Sequence, residues 1–289
     1  MASDENREGR CIMKRFFAVL AAVLGVLVIG CAAVLLVSEI FYPGRGSEAV
    51  RPGGEKGQDD PAKGKEEDGR YFSVLGDSVS AYRGCVSREL TPYYSSGDFS
   101  VESMWWSVLG EETGMEPCVI NAGSGTGVTE LFPDEGFPTA GNSERCEQLH
   151  TEEHTPDVIF VLLGGNDAIQ QVPGSELEDA YVEMLERMRQ AYPDAEIYAC
   201  TYYLMPGFLT EPIRDLNERI RRAASEADVP CIDVEGCAVS TGDPEEYLLD
   251  YDAASDFGVH VNEKGQRVLG EAVADGMKES GKAPGIQTE

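Results

Sequence analysis

The sequence predicts an α/β fold built of βαβ units, with a parallel sheet of five strands, preceded by one transmembrane helix and a flexible linker. Three observations carry this. Short apolar runs at 71–75, 118–120, 158–163, 196–201 and 231–234 have few polar interruptions, as strands covered on both faces require. Amphipathic stretches at 103–112, 142–149, 175–192, 212–227 and 263–279 alternate with them as helices. Ahead of both, residues 16–37 form 22 consecutive positions without a charge.

As a helix rising about 1.5 Å per residue, that first run spans roughly 33 Å, enough for a hydrocarbon core of about 30 Å. It is too long for the apolar region of a cleaved signal peptide. Lys14 and Arg15 precede it, so the positive-inside rule puts residues 1–15 in the cytoplasm, the helix at 16–40 and the rest outside. The alternative is a lipoprotein anchored at Cys31, against which stands the continued apolar run after that cysteine. The linker covers 41–69. Between positions 43 and 69 it holds seven Gly, three Pro and twelve charged residues, too little apolar surface to offset the entropy of ordering. Residues 70–289 form the single outer domain. In it Ser175 and Glu178 have the spacing of a capping box, and Leu177, Tyr181, Leu185 and Met188 recur at helical spacing as core.

In such folds ligands gather beyond the carboxyl ends of the strands. The first strand runs into Gly76, Asp77 and Ser78, a sharp turn that lifts a serine hydroxyl above the sheet. The second ends in a turn with Gly123, Gly125 and Gly127, whose N–H groups suit a developing oxyanion; the spacing is not that of a P-loop. The third ends in Gly164, Gly165, Asn166 and Asp167, where an amide donor stands ready. Of three histidines, His150 and His154 lie on a polar helix end and loop, which leaves His260 as the candidate base.

These four blocks, in this order and at these separations, resemble the SGNH (GDSL-type) hydrolase family of esterases and acylhydrolases. Within it they resemble a bacterial branch with an aromatic-rich loop (Tyr82, Tyr93, Tyr94) and a Trp105–Trp106 helix after the first block. The resemblance covers roughly residues 71 to 275. It implies a three-layer α/β/α sandwich of the flavodoxin-like kind and a serine esterase with an acyl-enzyme intermediate and no metal or other cofactor. Ser78 is then the nucleophile and His260 its base, with the Ser78 N–H, the Gly123 N–H and the Asn166 amide as oxyanion donors. Asp77 and Asp167 hold their turns. The last block departs from the pattern: Phe257 stands where the family has its Asp, and Val261 where Pro is usual. Asp256, one residue further back, is the expected third member of the triad; Asp252 is the next carboxylate upstream, and a Ser–His dyad is the alternative.

Six cysteines in the outer domain permit disulfides without fixing a pairing. Trp105 and Trp106 cannot share one helix face, so one is expected in the core and the other at the site's mouth, stacking on a sugar ring; the alternative is core packing for both. The charge narrows the substrate. Of the net −29, the domain carries −27, as 14 basic against 41 acidic residues. Nucleic acid is excluded as a partner, polyanions are repelled, and neutral esters, above all acylated glycans, are favoured. A lipid or lysophospholipid acylhydrolase, a glycan O-acyltransferase and a non-catalytic module on the same fold are the rival readings. The sequence leaves oligomeric state open.

Overall fold

A computed structural model of the chain describes residues 69–87, 89–97, 99–131 and 140–280, all within the unit Lys65–Glu289. The expected membrane helix at 16–40, the segment before it and the linker up to residue 68 lie outside the described residues. Among the described residues no helix is long and apolar enough to cross a membrane.

Strand β1 (Tyr71–Gly76) leads into a one-turn 3-10 helix at Ser78–Ser80. After an irregular stretch and a second such turn (Val101–Ser103) come α1 (Trp105–Thr113) and β2 (Glu116–Ala122). A third 3-10 turn (Glu144–Glu147) precedes β3 (Val158–Leu162), α2 (Gly165–Ile169) and α3 (Gly174–Ala191). Then follow β4 (Glu196–Cys200), a turn at Gly207–Leu209, α4 (Thr210–Glu226) and β5 (Cys231–Ile232). The chain closes with α5 (Ala238–Thr241), α6 (Pro244–Tyr247) and α7 (Glu263–Ser280).

The five strands form one parallel sheet in the order β2-β1-β3-β4-β5. Every residue of β3 is buried, on both faces, which explains why its run reads as unbroken apolar sequence. Helix α1 packs with α7, and α3 with α4. Phe72, Phe160 and Tyr198 touch through their rings across three neighbouring strands, and Phe72 also reaches the α1 backbone at Gly110. Between β1 and β2 the register slips after Phe72, where its partner is Pro117. Proline offers no N–H to the ladder. Ser73 bridges the gap: its hydroxyl accepts from the Val119 N–H (3.1 Å) and donates to the Leu149 carbonyl (2.7 Å).

Two expectations on local structure change. The helix expected at 142–149 is only the short turn at Glu144–Glu147, because Arg145 there is drawn inward. Its guanidinium donates to the carbonyls of Gly76 and Asn121, each at 3.0 Å, and to the Asn121 amide oxygen at 2.9 Å. Burial pushes this arginine down to about 10. The capping box at Ser175 does not form, since α3 begins one residue earlier with Pro173 at its N-cap and the Leu177 N–H bonded to the Pro173 carbonyl. All six cysteines of the domain are free thiols.

Candidate active site

The strand order reverses at β1, with β2 on one side and β3 on the other, so the ends of these three strands border one crevice. Gly76 closes β1, paired with Ala122 and Leu162. A β-carbon on Gly76 would sit 2.6 Å from the Ser80 Oγ, so only glycine lets the chain fold back this tightly. Asp77 caps the next turn by accepting from the Val79 N–H (3.0 Å), and both its oxygens lie 2.9 Å from the Tyr202 hydroxyl. Burial is the main cause of a rise in its carboxyl to about 7, against the lowering effect of these hydrogen bonds.

The turn bearing Ser78 is fastened to α1 and α7. The indole N–H of Trp105 donates to the Ser80 Oγ and that of Trp106 to the Ser80 carbonyl, both at 3.0 Å. Gln266 of α7 donates to the Val79 carbonyl (2.7 Å) and accepts from the Trp105 N–H (2.8 Å). Both tryptophans are thus buried, at 0% and 4% exposure, and neither lines a mouth. They point in different directions from the helix, but both indoles converge on the single residue Ser80.

Across the crevice, Asp167 at the start of α2 accepts from the N–H groups of Val128 (2.8 Å) and Thr129 (2.9 Å) and from the Thr129 hydroxyl (2.7 Å). This clamps the glycine-rich turn that leaves β2. Gly127 presses so closely on the Asp167 carboxylate that a β-carbon there would lie 2.5 Å from its Oδ2. Asn166 donates one amide hydrogen to the Thr126 carbonyl at 2.9 Å.

The remaining pieces come from a hairpin between α6 and α7. Its arms pair Leu248 with Val261 and Asp252 with Phe257, antiparallel. That register sets Asp250 across from Val259. One Asp250 oxygen accepts from the N–H groups of Val259 (2.8 Å) and His260 (2.9 Å); the other lies 2.7 Å from the His260 Nδ1. The His260 Nε2 lies 2.9 Å from the Ser78 Oγ. With Nδ1 donating to the carboxylate, Nε2 is the acceptor for the serine proton. Burial acts to raise the Asp250 carboxyl, but the His260 ring and the two N–H donors outweigh it and hold it below the ordinary range.

Asp256 is not the histidine's partner. It sits in the reversal of the hairpin with φ +49° and accepts instead from the Tyr251 hydroxyl at 3.0 Å. Asp252 is also occupied, accepting from the Ala254 N–H and the Ser255 hydroxyl. The carboxylate that reaches His260 lies ten residues upstream because strand pairing, not nearness in sequence, brings it there. The signal was present as two apolar arms around the turn-forming Ala253 to Asp256, the pattern of a hairpin. Tyr93, from the aromatic loop, stacks on the His260 ring.

A serine, histidine and aspartate in one hydrogen-bonded chain at the carboxyl edge of a parallel sheet define a serine hydrolase. The signature of the GDSL-like Lipase/Acylhydrolase family matches residues 74–268, and the chain belongs to that family, whose members hydrolyse ester bonds. Among solved structures it is similar to a protein from Bacteroides ovatus ATCC 8483 described as a GDSL-like lipase (22% identity, 74% of this chain and 100% of that one, TM-score 0.55). It is also similar to Est24, a carbohydrate acetylesterase from Sinorhizobium meliloti (16%, 73% and 99%, 0.54). A third is a family two carbohydrate esterase from Clostridium thermocellum, an active-site mutant (17%, 73% and 63%, 0.51). At these identities the likeness is one of fold. No curated protein sequence matches the chain.

Proposed function

We propose that this chain is an esterase held outside the cell on its N-terminal anchor, cleaving short acyl esters, acetyl foremost, from neutral carbohydrates. The observation that carries the catalytic part is the unbroken contact from Ser78 through His260 to Asp250. Ser78 attacks the ester carbonyl while the His260 Nε2 takes its proton, and Asp250 balances the imidazolium that forms. The tetrahedral oxygen is met by the N–H groups of Ser78 and Gly123 and by the second amide hydrogen of Asn166, the first being spent on Thr126. His260 returns the proton to the departing alcohol, and a water then repeats the sequence in reverse to free Ser78.

Support for a carbohydrate substrate comes from an exposed aromatic packed against the hairpin that carries His260. Phe208, 71% exposed, stacks on Phe257 of the His260 hairpin with rings 5.7 Å apart and 13° from parallel, a flat face suited to a sugar ring. Two of the similar structures are described as carbohydrate esterases. The −27 carried by the domain favours neutral over anionic esters. Location outside the cell rests on the uncharged run at 16–37 behind Lys14 and Arg15.

The test is hydrolysis of p-nitrophenyl acetate by the full-length chain beside Ser78→Ala, expected to be slower by about 10³-fold or more. Equal rates would sink the catalytic assignment. A series of longer acyl esters and acetylated oligosaccharides then reads substrate class: rates rising with chain length point to a lipid acylhydrolase instead. Protease shaving of intact cells checks location, with loss of the domain expected.

A further inference from the structure

We propose that Tyr93 is a positioning residue for the reaction, fixing the plane of the His260 imidazole and favouring the imidazolium formed when Ser78 gives up its proton. This rests on the reading of Ser78 and His260 as nucleophile and base. The two rings lie face to face, with centroids 3.5 Å apart and planes 10° from parallel. The need for such a contact follows from the hydrogen bonds. Those at Nδ1 and Nε2 both lie in the plane of the ring, so they resist rocking of the ring out of that plane only weakly. A ring stacked on its face removes that rocking. The face of an aromatic ring is also negative, and a cation against it is stabilised.

Tyr93 is itself braced for this task. The N–H groups of Tyr93 and Tyr94 both donate to the Ala81 carbonyl, at 2.9 and 3.0 Å. The Tyr94 ring meets Tyr93 edge-on, at 4.9 Å and 77°, and its hydroxyl donates to the Val261 carbonyl beside the histidine (2.9 Å). The other polar groups facing the imidazole are Ser78 and Asp250, with the Tyr203 hydroxyl holding the Val259 carbonyl behind it. Burial, helped by the Asp250 charge, pushes the Tyr93 hydroxyl up to about 12, so it stays neutral throughout any ordinary assay. The hydroxyl is therefore not the working part; the ring face is.

The experiment compares full-length wild type, Tyr93→Phe, Tyr93→Leu and Ser78→Ala on p-nitrophenyl acetate, with NMR of the His260 ring protons. Tyr93→Phe keeps the face and should stay within about twofold of wild type in kcat. Tyr93→Leu should lose about tenfold in kcat with little change in KM. The upfield ring-current shift of the His260 protons should persist in Tyr93→Phe and vanish in Tyr93→Leu. Should the leucine variant not fold, Tyr93→Gln makes the same comparison. An unchanged kcat in the ringless variant, or a rise in KM alone, overturns the proposal while an inactive Ser78→Ala leaves the nucleophile assignment standing. Equal activity of Ser78→Ala and wild type overturns that assignment instead, and the NMR shift still reports the stack.

Discussion

The turn that carries Ser78 and the hairpin that carries His260 are held in opposite ways. The turn is set into the core: Gly76, Asp77, Ser78 and Ser80 are all buried, and its polar atoms are bonded to Trp105, Trp106, Tyr202 and Gln266. The hairpin stands at the surface, with Asp252 to Asp256 exposed, and depends on its own main-chain pairing and on the hydroxyls of Tyr94 and Tyr203. The serine is thus fixed by global packing and the histidine by local strand pairing. The two halves of one proton path should therefore fail by different routes.

The largest effects are expected at the aspartates of the hairpin. Asp250→Asn should lower kcat by about 10³-fold or more through loss of the imidazole's partner, whereas Asp256→Ala should stay within about threefold. Comparable losses in both would mean that the hairpin as a whole, and not one carboxylate, orients the base. Next comes Asn166→Ala, expected to cost about 10²–10³-fold in kcat as an oxyanion donor is lost; a change confined to KM would remove Asn166 from that role.

Smaller effects separate the two modes of support. Trp105→Phe leaves the Ser80 hydroxyl without its buried donor and should destabilise the whole domain by about 1–3 kcal/mol, seen as a lower unfolding midpoint. Gly207→Ala acts on the hairpin instead. Gly207 has φ +64° and lies against the Asp256 carbonyl, so a methyl there collides with the hairpin tip. Faster amide exchange within residues 248–261, with the global midpoint nearly unchanged, is the expected result; equal loosening of β1 would erase the distinction.

The last effect is read in pH. The Asp77 carboxyl is raised, so the native turn binds its proton more tightly than the unfolded chain does. Its contribution to stability is complete below about pH 4 and is lost as pH rises through about 7. The Asp250 carboxyl is lowered, so its contribution is present above about pH 4 and is lost on acidification. Asp77→Asn should flatten the decline in stability between about pH 4 and 7, measured by denaturant midpoints; an unaltered slope would show that other groups set it.

What could be read from sequence follows the same division. The strand runs were legible because parallel strands buried on both faces need continuous apolar residues, and the turns after β1, β2 and β3 were legible because tight turns need Gly, Asp and Asn. The membrane helix and linker are expected from length and composition alone, and both fall outside the described residues. Asp250 was not legible by counting back from His260, since its contact comes from pairing across the hairpin. Trp105 and Trp106 misled for a related reason. Spacing on a helix shows that two side chains diverge, but not that Ser80 would offer each of them a buried acceptor. Tyr93 was marked only as one of several aromatics, because stacking is a property of two loops brought together.

The hairpin also frees the carboxylate and the imidazole from any fixed separation along the chain. Residues added at its tip, between Asp252 and Phe257, would lengthen the sequence distance from Asp250 to His260 while their contact stayed the same. A single residue added to either arm would instead turn the carboxylate to the opposite face of the ribbon. The arms work as a caliper whose jaws are set by strand register, and the loop beyond them can change in length without moving the pair.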